Sequence, residues 1–213
     1  DITTLAADMD ITEDDVPVDF PGPNDFLFTK VFKEDEKFDL VHCDGSVLRT
    51  HQRPEWREPR EATRLTLMQL ALGLEHLNSG GTMVILLHRL ENWRCFDLVR
   101  QFSKMSTVQL FKHRKSHNIR SSFYLIAKDI RADSPFAKEM VQAWKQRYKI
   151  ATFGTEDEYA KMHKVTSKAA QEALEEFGEK FIAMGRNIWK IQADGLENAS
   201  FMKHDPDEKK NNT

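Results

Sequence analysis

The sequence predicts an α/β fold in which helices alternate with the strands of a doubly wound sheet. Three observations predict it. The apolar run 37–43 leads into Asp44 and Gly45, as a strand does at the carboxyl edge of an open α/β sheet. The run 82–87 is continuously apolar, which is typical of a strand buried on both faces, and the run 37–43 is predicted to form a buried strand. A long helical pattern between the two runs gives the order strand, helix, strand.

The segments before and after the first strand are mostly loop-like. Residues 1–7 are predicted to form a short strand or strand end, and the acidic, proline-bearing stretch 8–23 a loop. Residues 26–32 are predicted to form a short helix or turn. The polar, arginine-rich residues 46–58 are predicted to form a loop that follows the first strand.

A helix is predicted from Pro59 to about Asn78, because proline is tolerated in a first turn and a wide apolar stripe follows. Gly80 and Gly81 are expected to end it in the left-handed conformation. A second helix is predicted over 93–104. The remaining strands are predicted over 107–111 and 121–127, joined by a basic loop as an antiparallel hairpin. This order matches the second half of a doubly wound sheet, and the early strands are expected to be missing because the sequence has no glycine-rich strand-to-helix turn.

Helical patterns dominate the rest of the chain, over about 135–149, 155–177 and 179–192. We therefore expect an α/β domain over 1–132, a helical extension over 133–197 and a polar tail over 198–213.

Composition limits the class of protein. The chain has 213 residues, a formal charge of −3 and two cysteines, which fits a reducing compartment and argues against a generic nucleic-acid binder. No run approaches the roughly 18 apolar residues of a membrane span, and no signal peptide is visible. We expect an intracellular protein, cytoplasmic or nuclear, without a metal site, since the isolated histidines lack ligand spacing. The absence of an initiator methionine indicates a fragment or a processed product.

Four segments in register resemble one family. They are Asp-Ile-Thr at 1–3, FDLVHCDG at 38–45, LNSGGTMVILL at 77–87 and RSSFYLIAK at 120–128. Over residues 1–128 the chain resembles the FtsJ (RrmJ-type) S-adenosylmethionine-dependent RNA 2′-O-ribose methyltransferases, especially their divergent fungal members. The resemblance implies a Rossmann-like methyltransferase sheet, of which this chain holds the carboxyl-terminal part.

The resemblance also implies roles for individual residues. Asp1 takes the position that approaches the adenine of S-adenosylmethionine, and Asp44 the position of the catalytic aspartate between methyl donor and ribose. The family's catalytic lysine aligns with Leu86, while His88 lies two residues on and on the same side of the strand. Its glutamate aligns with Ser122. His88 is therefore a candidate base near neutral pH, and Arg89 a candidate ligand for a phosphate or a developing anion.

Two basic segments are candidates for contact with RNA. Residues 112–120 contain no acidic side chain, and their cations are expected to bind phosphates, with Lys112, Arg114, Lys115 and Arg120 as the principal candidates. The loop 46–58 and the residues just after it add Arg49, Arg53, Arg57 and Arg60, with His51 and with Trp56 as a possible platform for a base. A solvated loop is the alternative for both segments, and Glu55, Glu58 and Glu61 favour that alternative for the second.

Three functions remain open. The leading one is an FtsJ-like methyltransferase that uses S-adenosylmethionine on RNA ribose. A second is a catalytically degenerate methyltransferase fold that binds RNA or a protein, which the residues at positions 86 and 122 favour. A third is a truncated gene product without independent activity.

Overall fold

The sheet has four strands and mixed direction. A computed structural model describes residues 1–48, 50 and 52–199. Within them the strands are β1 (Phe38–Cys43), β2 (Leu77–His88), β3 (Thr107–Phe111) and β4 (Ser122–Ile130), in the spatial order β1-β2-β4-β3. β1 and β2 are parallel, and β4 is antiparallel to both of its neighbours. The α/β class and the closing antiparallel hairpin are thus confirmed.

Five helices accompany the sheet in the described residues: α1 (Glu61–Glu75), α2 (Trp93–Met105), α3 (Pro135–Phe153), α4 (Glu156–Met162) and α5 (Ser167–Glu197). Helices α2 to α5 begin at an Asn, Ser or Thr whose side chain accepts a backbone N–H of the first turn. α1 packs on β1 and β2 so closely that a Cβ at Gly73 would meet Met83. Phe102 of α2 stacks on Trp144 of α3, so α3 belongs to the same hydrophobic core as the sheet.

The opposite face of the sheet is not buried to the same degree. Met83, Ile85 and Leu87 of β2 face the helices and are buried, whereas the alternating Val84 and Leu86 are half-buried. Leu40 of β1 is 63% exposed. The predictions of a buried strand over 37–43 and of burial on both faces over 82–87 were therefore wrong, because β1 lies at an edge of the sheet and the helical layer covers one face.

The boundary between α1 and β2 also differs from the prediction. α1 ends at Glu75 and β2 begins at Leu77, so Gly80 and Gly81 lie inside the strand and do not end the helix. Gly80 has a φ of +88°, and the pairing register shifts on both sides of this segment. The glycine pair accommodates an irregularity in the strand, which side chains with a Cβ rarely permit.

The amino-terminal segment forms turns and no strand. Short 3₁₀ turns occupy Ile2–Thr4 and Ala7–Met9, and residues 26–32 are irregular without a helix. Thr3 is buried and its Oγ1 donates to the Glu61 carboxylate of α1 at 2.7 Å. The segment is thus held against the helical layer, which is why the prediction of a strand over 1–7 was wrong.

The last two helices divide differently from the prediction. α4 is short, and α5 runs unbroken through Gly178, where an added Cβ would meet open space. Phe177 and Phe181 pack on Phe96 of α2. In the predicted polar tail, residues 200–213 lie outside the described residues.

Candidate functional site at the carboxyl edge of the sheet

Sheet topology brings three chain segments to one edge. β2 runs parallel to β1, and β3 also runs in that direction because β4 is antiparallel to both β2 and β3. The ends of β1, β2 and β3 therefore lie on the same edge. Asp44 follows β1, Arg89 follows β2, and the loop 112–121 follows β3. The carboxyl edge is the usual ligand-binding edge of such a sheet.

Asp44 lies in a small polar cluster. Its Oδ2 is 3.7 Å from Nε2 of His42, two residues earlier on the same face of β1. Tyr124 of β4 lies close to the same residues: the centroid of its ring is 6.1 Å from the centroid of the His42 ring. Burial raises the pKa of the Tyr124 phenol, and the nearby charge of Asp44 raises it further. The cluster can hold a carboxylate between a phenol and an imidazole.

Neither His42 nor Tyr124 is among the residues that the sequence predicts for this site. His42 has a recognisable signal, because strand alternation puts residue i−2 on the same face as Asp44. Tyr124 has none, since its approach depends on β4 lying two strands away from β1.

The other positions that the resemblance singles out lie nearby. Leu86 is paired with Tyr124, and His88 with Ser122, across β2 and β4. His88 and Arg89 are exposed, and Arg89 has a φ of +57°, in the left-handed region. Its backbone N–H donates to the carbonyl of Ser121, which fixes the start of β4 beside the end of β2. The positions aligned with the family's lysine and glutamate thus share the edge but carry no ionisable group.

Asp1 makes its contacts in a different cluster. Its Oδ1 caps the first 3₁₀ turn by accepting the Thr3 N–H, and its Oδ2 accepts from Arg57 at 2.7 Å. The carboxylate that the resemblance assigns to the cofactor's adenine is therefore already bound to this chain's own donors.

The basic loop contains one buried lysine. Lys112 is only 4% exposed, and its Nζ donates to the carbonyls of His117, Arg120 and Ser122 at 3.2, 2.6 and 2.7 Å. Burial lowers the pKa of its ammonium. Lys112 holds the loop closed, so its prediction as an RNA contact is corrected. The side chains of Arg114, Lys115 and Arg120 are exposed, as contact with phosphates requires.

The other arginine-rich segment is structural. Arg53 pairs with Glu58, Arg57 with Glu61, and Arg60 with Glu156. The Trp56 ring packs against Phe20 and its Nε1 donates to Asp25, so it does not offer a free face for a base. Arg49 and His51 lie outside the described residues.

In the described part of the chain, no helix is long and apolar enough to cross a membrane, and no group of three or more His, Cys, Asp or Glu side chains is arranged to hold a metal ion.

Comparison of the sequence with models of known protein families finds no match, and comparison with curated proteins finds none either.

Proposed function

We propose that this protein is an FtsJ-type S-adenosylmethionine-dependent methyltransferase acting on RNA ribose 2′-hydroxyls. One observation carries the proposal: the Asp44 cluster and the exposed cations of loop 112–121 share the carboxyl edge of the sheet. A phosphodiester chain bound by those cations would pass close to Asp44, the residue that takes the position of the family's catalytic aspartate.

The described residues do not by themselves form a site for S-adenosylmethionine. The sequence contains no glycine-rich turn for the cofactor, and the Asp1 carboxylate is bound to Thr3 and Arg57. We therefore derive no methyl-transfer step, and limit the chemistry to the handling of the ribose.

His42 is better placed than His88 to accept a proton. A 2′-hydroxyl has a high pKa, so its attack is helped by a base at hydrogen-bond distance. His42 lies 3.7 Å from a carboxylate that can orient its ring and stabilise the imidazolium, an arrangement common in general-base catalysis. His88 is exposed, as His42 is, but it lies opposite Ser122 in the sheet register and has no carboxylate partner among the described residues. We assign the proton to His42, with Asp44 as its positioning residue.

Titration calorimetry of S-adenosylmethionine tests the enzyme. It is run on this chain and on a version extended upstream of Asp1. Binding by the extended form supports the proposal, and an RNA methylation assay follows with Asp44→Ala, His42→Gln and His88→Gln. We expect activity to fall about 100-fold or more for the first two and little for the third, as for loss of general-base catalysis. Absence of binding by both forms contradicts the proposal.

RNA contact is tested separately on this chain. Replacing Arg114, Lys115 and Arg120 with glutamine is expected to weaken binding of a short single-stranded RNA and to reduce its salt dependence by about one charge per lost phosphate contact. The control replaces the exposed Lys161, Lys168 and Lys180, with the same change in net charge. Equal effects of the two triple variants would show that only net charge matters and would contradict a specific RNA-binding loop.

A second candidate is a catalytically degenerate fold that binds RNA or a protein. Leu86 and Ser122 favour it, since neither can transfer a proton as the family's lysine and glutamate do. RNA binding without cofactor binding by the extended form would select this candidate.

A further inference from the structure

A cavity of about 650 Å³ lies in the helical layer, away from the Asp44 cluster. Its walls come from α1, α2, α3, the end of α4 and the start of α5. Side chains of Leu67, Leu70, Leu98 and Trp144 line it, and its volume lies in the range of small-molecule sites.

The polar lining is strongly basic. Arg94, Arg147, Lys164 and His163 all line the cavity. Among the described lining residues the one carboxylate is Asp97, and its oxygens accept from Arg100 and Gln101. Neither Arg94 nor Arg147 forms an ion pair with any described residue. With Asp97 paired to Arg100, the cations outnumber the carboxylates in this concave surface, and the potential there is positive.

Several buried polar atoms in the cavity lack partners. Nε of Arg147 and both ring nitrogens of His163 are inaccessible to solvent, and no described residue forms a hydrogen bond with them. Burial lowers the pKa of Arg147, the charge of Asp97 partly offsets this, and the charge of Arg94 lowers it further. Burial, with the charges of Arg94 and Arg147, lowers the pKa of His163 to about 4. Such unsatisfied groups are rare in folded proteins and costly, and a turn of either side chain toward a bound molecule would give them partners.

We infer that this cavity is a binding site for a phosphorylated small molecule with an apolar or aromatic body. Two guanidiniums facing one space suit a phosphate, whose oxygens accept paired N–H donors. The leucine and tryptophan side chains would contact the uncharged part. The inference does not rest on the proposed function: His88 lines the cavity, but none of the residues to which we assign contact with RNA or with the ribose hydroxyl does.

Calorimetry with the 213-residue chain tests the inference, using adenosine 5′-monophosphate, adenosine and inorganic phosphate as probes. We expect the monophosphate to bind about tenfold or more tighter than adenosine, as charge-assisted hydrogen bonds predict. It should also bind more tightly than phosphate alone, since only the nucleotide fills the apolar part. Equal affinity for the monophosphate and adenosine, or for the monophosphate and phosphate, would overturn the inference.

Matched variants locate the site. Arg94→Gln and Arg147→Gln are each expected to weaken monophosphate binding about tenfold while leaving adenosine unaffected. Arg94 is exposed, so its variant keeps the test valid even if Arg147→Gln does not fold. The control is Arg186→Gln, an exposed arginine of α5 outside the cavity. His163 ring resonances should shift on addition of the nucleotide, and a lack of shift, or equal effects of Arg94→Gln and Arg186→Gln, would overturn the assignment.

Discussion

Replacing Glu61 by glutamine tests how a buried ion network ties the amino-terminal segment to the helical layer. Glu61 begins α1 and is 4% exposed. Its Oε1 accepts from Arg57 Nη2 at 2.5 Å, and its Oε2 accepts from Arg64 Nη1 at 2.8 Å. Arg64 is only 1% exposed and also donates to the carbonyl of Thr3. The substitution keeps the shape of the side chain and removes the charge.

The expected loss of unfolding free energy depends on which partners Arg57 and Arg64 keep after Glu61→Gln. The buried guanidinium of Arg57 would keep only Asp1 as a carboxylate partner, and the side chain of Asp1 is 54% exposed and so compensates weakly. The buried guanidinium of Arg64 would keep no carboxylate partner among the described residues. Breaking a buried pair costs about 3–5 kcal/mol, and we expect about 3 because glutamine still accepts a hydrogen bond. With a slope of about 2 kcal/mol per molar urea, the unfolding midpoint should fall by about 1.5 M.

Urea unfolding followed by tryptophan fluorescence measures this effect. The control is Glu156→Gln, which removes the partner of Arg60 but alters a side chain that is 88% exposed, so its loss should stay below about 1 kcal/mol. If the two variants lose similar amounts of unfolding free energy, or if Glu61→Gln loses less than about 1 kcal/mol, burial does not make the Glu61 ion pairs more stabilising than an exposed pair.

The difference in stability between wild type and Glu61→Gln should also depend on pH. Burial opposes ionisation of Glu61, but hydrogen bonds from Arg57 and Thr3 and the charges of both arginines outweigh it, so its pKa lies below the usual range. A lowered pKa contributes stability above the unfolded pKa of about 4.3, and that stability is lost as the pH falls through the folded value. The difference between wild type and Glu61→Gln should thus be constant near neutrality and shrink below about pH 4.3. A difference that grows on acidification would contradict the assigned sign.

Three further predictions concern single side chains. Lys112→Met should destabilise the protein by about 2 kcal/mol in urea unfolding, because three carbonyls lose a charged donor, whereas the exposed Lys115→Met should change it little. Asp44→Asn should lower the pKa of Tyr124 in an alkaline absorbance titration, with Tyr124→Phe identifying its signal; an unchanged pKa would contradict the contact. Burial raises the pKa of Cys43 to about 12 and that of Cys95 to about 11, so Ellman's reagent should label the folded protein only slowly, and a rapid phase would disprove their burial.

The elements that the sequence predicts well are those defined by local patterns. Helix 93–104 and strand 107–111 appear as Trp93–Met105 and Thr107–Phe111, because an Asn92 cap, an amphipathic helix and a strand follow one another directly. The segment 1–7 fails for a non-local reason. Its apolar residues fit a strand, but Thr3 contacts Glu61, 58 residues away, and no local pattern indicates that partner.

The candidate sites show the same division between local signal and tertiary contact. Asp44 is predictable because a strand, an acidic residue and a glycine are adjacent in the sequence. Lys112 and Lys115 look equivalent in the sequence, yet Lys112 is enclosed by three carbonyls while Lys115 faces solvent. His163 appears isolated for the same reason, since Arg94 and Arg147 approach it from different helices. A charge pattern therefore locates a basic segment, whereas the backbone around each side chain decides whether that charge is available to a ligand.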